Sequence, residues 1–168
     1  MSEPMVVGQG PSRAGQAGGE MAWATWALVG WALAIVGLAD ITLLYFPARL
    51  ASVDWEFGTI SGTVDGMPLL TIGLGAVTAS LATRGRRGWL RAVSVVQLVL
   101  MLVLLVLLVV FASDVPVALR AVEPALRPTL LKAIVKTTFM GGVYVVLYGS
   151  LGVWTWRRSR STSKGVVR

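Results

Sequence analysis

Two ionisable residues stand inside otherwise apolar sequence: Asp40 in the run from Ala22 to Phe46, and Lys136 in the run from Thr129 to Trp156. A charge in hydrocarbon is costly unless it meets a partner or water, which makes each a candidate functional group. Counted from the Phe46 and Thr129 ends at about 1.5 Å per residue, both lie roughly 10 Å deep, and equal depth permits an ion pair between the two segments. Thr137 and Thr138 follow directly and would supply hydrogen bonds to it. Two chemistries fit. In one, acid and base neutralise each other and select which helices are neighbours, a specificity device that adds little stability. In the other, the Asp40 carboxylate is a proton or cation site whose charge Lys136 tunes.

Other chemistries lack their residues. The chain has no cysteine and no histidine. Disulfides, thiolate metal sites and thiol relays are therefore excluded, and so are the commonest haem and metal ligand and the usual general base near neutral pH. Ser61, Ser80 and Ser94 have no imidazole to activate them. The glycines of 73-GLG-75 and 141-GG-142 lack the strand-turn-helix setting of a phosphate-binding loop. Asp54, Glu56 and Asp65 offer three oxygen ligands to a hard cation, yet their spacing is not that of an EF-hand, and solvated loop acids are the simpler account. Gln97, in an apolar stretch, reads as an interhelical hydrogen-bonding group. The reading is of a protein with no catalytic constellation, no metal site and no cofactor.

The elements that must position these groups follow from hydropathy. Hydrophobic residues make up 55% of the 168-residue chain and charged residues 14%, against about 25% charged in ordinary soluble domains. The mean hydropathy is +0.74. Four runs approach the ~20 residues needed to cross a bilayer: about 22–46, 67–83, 89–112 and 129–156. Backbone groups in lipid must be satisfied within the segment, and period-2 alternation is absent, so all four are predicted helices. The fold expected is an all-α integral membrane four-helix bundle. Pro68 is placed in the first turn of the second helix, where its missing N–H costs nothing.

Charge sets the expected orientation. Residues 1–20, 84–91 and 157–168 hold ten Arg/Lys and two Glu, whereas 47–66 and 113–132 hold four basic and five acidic residues. The positive-inside rule then puts both termini in the cytoplasm. The net charge of +7 is accounted for by topology, without nucleic acid as a partner. Trp23, Trp26, Trp89, Trp154 and Trp156 fall at the inner interface, and Tyr45, Phe46, Trp55 and Phe57 at the outer one. Residues 1–21 read as a mobile cytoplasmic tail and 157–168 as a basic one. Arginine far outnumbers lysine, and Ala, Val and Gly are abundant, a composition associated with GC-rich bacterial genomes. The expected site is thus the cytoplasmic membrane of a bacterium.

The outer connections are too long to be simple turns. Segments 47–66 and 113–132 mix apolar and polar residues and are predicted to form short interfacial helices, the second with Asp114 as an N-cap and breaks at Pro124 and Pro128. On the fourth helix, Gly141, Gly142, Gly149 and Gly152 lie within roughly 60° of the side opposite Lys136 at about 100° per residue. If Lys136 points inward, that glycine face points toward a second copy or another membrane protein. Gly30, Ala34 and Gly37, and Thr71, Gly75, Thr78 and Ala82, make comparable stripes on the first two helices. Together these features indicate a non-catalytic accessory or scaffolding subunit in a membrane assembly, with lipid and another membrane protein or a homo-oligomer as partners. The alternative is a small proton- or cation-coupled transporter using Asp40 and Lys136.

Overall fold

The computed structural model describes the backbone of residues 13–48 and 52–161, and the side chains of residues 22–48, 52 and 55–160. Four α-helices carry the chain: α1 (Arg13–Leu44), α2 (Val53–Thr83), α3 (Arg87–Ala121) and α4 (Arg127–Ser161). Each contains a stretch long and apolar enough to cross a membrane. A single 3-10 turn, Pro124–Leu126, precedes α4. The protein is an all-helical bundle of the kind that fits a membrane. Leu, Val, Ile and Trp side chains stand exposed along the flanks of the helices, as hydrocarbon permits and water does not.

All four helices extend beyond the apolar runs, and α4 continues to Ser161, so residues 157–161 of the expected basic tail are helical. α1 begins at Arg13, so residues 13–21 continue the helix and do not form a tail; residues 1–12 and 162–168 lie outside the described residues. The segments expected as interfacial helices are extensions of α2 and α3. α2 starts at Val53, which puts Pro68 in the helix interior. α3 runs past Asp114 and through Pro116 to Ala121, so Asp114 is not an N-cap. At about 1.5 Å per residue the 31-residue α2 is about 46 Å long, well beyond the ~30 Å of a hydrocarbon core. In the hydroxyl-rich start of α2, Thr63 Oγ1 donates to the Thr59 carbonyl at 2.8 Å, so this buried hydroxyl is satisfied on its own helix.

α2 is the central element. It packs against α1, α3 and α4, while α1 approaches α2 alone and α3 pairs with α4. Small residues set both close crossings. A Cβ on Gly73 would lie 2.5 Å from the Ala34 nitrogen and 2.7 Å from the Gly30 carbonyl oxygen, so the α1 and α2 backbones nearly touch there. On α4, Gly141 faces Leu108, Gly149 faces Met101 and Gly152 faces Leu98, all from α3. The glycine face expected to await a partner is therefore filled from within the chain at three of its four positions. Gly142 alone has open space around it. The core between the pairs is built on Ala34, Ile41, Leu70, Leu74, Leu104 and Tyr148.

The end of the bundle where α1 gives way to α2 is tied by aromatic contacts. The Tyr45 ring meets Trp55 edge-on at 6.1 Å, and Phe57 stacks on Phe111 at 4.7 Å. These pairs bind the first turns of α2 to the end of α1 and to α3, so the aromatic residues assigned to an outer belt also pack helix on helix.

Candidate functional site

The polar residues that face one another do so chiefly across α2. Lys136 Nζ of α4 lies 2.8 Å from Asp65 Oδ1 of α2. The expected Asp40–Lys136 pair is not formed. The reason is azimuthal: α1 docks on α2 and does not reach α4, so equal depth never becomes contact. Asp40 instead lies exposed beside α2, with Oδ2 3.7 Å from where a Gly66 Cβ would stand. Among the described residues no ion pair joins Asp40 to a base.

Two hydroxyl contacts flank the ion pair. Ser61 Oγ and Thr137 Oγ1 are 3.0 Å apart, and Thr71 Oγ1 and Tyr148 Oη are 2.8 Å apart. With Asp65–Lys136 they form a polar ladder along the α2–α4 contact. Thr137 is thus a supporting residue as expected, though to Asp65 and Lys136. Thr138, one residue on, points to the outward face beside Phe139 and Gly142 and takes no part. Both charges of the pair remain about half exposed, at 57% and 54%. An ion pair so exposed contributes at most about 1 kcal/mol where water or headgroups reach it, so orientation is its larger effect.

A second polar cluster sits deeper and is sealed. Gln97 of α3 has no solvent exposure; its Nε2 donates to Thr78 Oγ1 of α2 at 3.1 Å, and its Oε1 accepts from Thr155 Oγ1 of α4 at 3.4 Å. Beside it, Ser94 Oγ donates to the Gly152 carbonyl at 2.7 Å. One amide thereby joins three helices, as its placement in apolar sequence implied. Thr78 also donates to the Leu74 carbonyl, and the one Thr155 hydroxyl proton is shared among Gln97 Oε1 and the nearer carbonyls of Leu151 and Gly152. These bonds stay inside the bundle, the arrangement of a structural clamp, while the nearby Ser80 hydroxyl is buried without a partner among the described residues.

Of the acids Asp54, Glu56 and Asp65, the two whose side chains are described do not converge. The Asp54 side chain lies outside the described residues, Glu56 faces Asp114 of α3, and Asp65 is engaged with Lys136. Among the described residues no three acids group as metal ligands would. Sequence reasoning missed the Asp65–Lys136 and Thr71–Tyr148 contacts, because segment 53–66 reads as loop and nothing in a single sequence pairs Thr71 with Tyr148. It also missed the stacking of Arg158 on Trp154 at 5.2 Å and of Arg160 on Trp156 at 4.9 Å, which the i, i+4 spacing could have disclosed.

One further feature is apolar. Because α1 meets only α2, a groove of about 310 Å³ opens between α1, α2 and α3, walled by Trp31, Ile35, Leu38, Leu70, Leu74 and Val96 among others. Comparison with protein-family models, with curated proteins and with solved structures finds no match for this chain.

Proposed function

We propose that this chain is a non-catalytic multi-pass membrane protein that packs within a larger membrane assembly as an accessory or scaffolding subunit. The supporting observation is the single-sided docking of α1. A helix that contacts one neighbour and leaves an all-apolar groove beside Ile35 and Leu38 offers a seat for one more helix, from a second copy or another membrane protein. The polar groups add to this: those of the α2–α3–α4 contacts bond to one another and form no open constellation of acid, base and nucleophile. The arginine-rich end, where Arg86 and Arg160 lie, is assigned to the cytoplasmic side by its charge, and a bacterial membrane is proposed from the Arg-, Ala-, Val- and Gly-rich composition. Nucleic acid is not among the partners proposed.

A photoreactive residue in place of Ile35, which is 62% exposed in the groove, tests this in native membranes. The expected product is a covalent adduct with a second polypeptide. The same probe at Val146, on the outward face of α4, should give lipid adducts only. Recovery as a clean monomer from mild detergent, with no protein adduct at Ile35, overturns the reading.

The second reading, a small proton- or cation-coupled transporter, is favoured by one observation: Asp40 is an exposed carboxylate within a candidate span, without a base paired to it among the described residues. Uptake into vesicles by the wild type that is abolished by Asp40→Asn would support it. Unchanged uptake, or none from either protein, rejects it.

A further inference from the structure

We infer that the perimeter groove between α3 and α4 at the arginine-rich end is a binding site for an anionic phospholipid. The groove has a volume of about 510 Å³. Val95, Val99 and Leu102 of α3 and Val153 of α4 make its apolar wall. Its mouth carries Trp156, Arg157 and Arg160 of α4. From Val95 to Leu102 the wall descends about 10 Å at 1.5 Å per residue, a large part of the ~15 Å depth of one leaflet's hydrocarbon. An acyl chain therefore fits along the wall while its headgroup rests at the mouth.

Charge and geometry select the headgroup. The Arg160 guanidinium lies over the Trp156 ring at 4.9 Å, a contact that restrains it beside the groove. A guanidinium edge matches two phosphate oxygens, and Arg157 adds a second at the same mouth. Arg91 precedes Val95 by one turn on α3 and adds a third positive charge at this end of the helix. No acid lines the groove. A zwitterionic headgroup carries its own cation into this cluster; a net anionic one does not. The apolar wall distinguishes the site from a mere basic patch, because free phosphate or nucleic acid has nothing to place against Val95 and Leu102.

The full-length protein in mild detergent, offered equal amounts of phosphatidylglycerol and phosphatidylcholine and observed by native mass spectrometry, tests this directly. The expected result is one retained phosphatidylglycerol with a preference of at least about fivefold over phosphatidylcholine. Arg157→Gln with Arg160→Gln should bring that preference to about one. Both side chains are exposed, and an unchanged circular-dichroism melting curve verifies the fold. Val153→Trp, which fills the groove and keeps the arginines, should lower retention of both lipids. Millimolar inorganic phosphate should not displace the lipid. Equal uptake of the two lipids by the wild type, retained preference in the double Gln variant, full retention in Val153→Trp, or displacement by phosphate would each overturn the inference.

Discussion

Lys136 reaches across to Asp65 at 2.8 Å, and the contact joins α4 to α2 at a level where α1 contributes Asp40 without touching α4. The bundle is therefore organised around α2, with the acid of α1 set aside from the Asp65–Lys136 ion pair.

This relationship predicts which acid matters for stability. In a double-mutant cycle, Asp65→Asn and Lys136→Met should show a coupling of up to about 1 kcal/mol, the range for a half-exposed pair. Asp40→Asn should show no coupling with Lys136→Met. Reversible unfolding in detergent micelles measures both, and a larger coupling for Asp40 would refute the observed pairing.

The α1–α2 crossing predicts an asymmetry between two glycines two residues apart. Gly73→Ala drives a Cβ to 2.5 Å from the Ala34 nitrogen and should cost about 1–3 kcal/mol through forced separation of the helices. Gly75→Ala meets nothing within 4 Å and should stabilise the helix by about 0.5–1 kcal/mol. Thermal denaturation followed by circular dichroism compares the two; equal effects would contradict the close approach.

The buried amide predicts a small loss when it is replaced by shape and a large one when it is removed. In Gln97→Leu, Thr78 and Thr155 keep their own backbone acceptors, so only the interhelical bonds are lost, at about 0.6 kcal/mol on average for such bonds in membranes. Gln97→Ala leaves a void where three helices meet and should cost about 2 kcal/mol or more. A Leu variant as damaged as the Ala variant would show that the hydrogen bonds, and not the packing, hold this layer.

Orientation is open to a direct chemical test because the chain has no cysteine of its own. Glu123→Cys should react with a membrane-impermeant maleimide added to intact cells, whereas Arg86→Cys should react only after lysis. The reverse pattern would invert the proposed sidedness.

How far the primary structure could be read depended on whether a property is carried by one segment or by two. The four apolar runs, the absence of thiol and imidazole, and the clustering of arginine at one end are properties of single segments, and the helices formed where those runs lie. Gln97 was legible too, since a lone amide in a run of Leu and Val has few ways to be satisfied except by a neighbouring helix. The starts of α2 and the end of α3 were not. Hydropathy falls across 53–66 and 113–121, yet Thr63 bonds to its own helix, Ser61 meets Thr137 of α4, and Phe57 packs on Phe111, contacts between segments that hydropathy does not register.

Depth and class were accessible from residue order because rise per residue is nearly constant in any helix. Neighbourhood was not, because rotation about each axis and the choice of contact partner depend on how whole surfaces fit. Asp40 and Lys136 match in depth, but the near contact of Gly30 and Gly73 seats α1 on α2, away from α4. The glycines of α4 likewise admit Leu108, Met101 and Leu98 of α3. Steric fit between folded faces, a quantity no linear spacing contains, is what assigned Asp65 to Lys136.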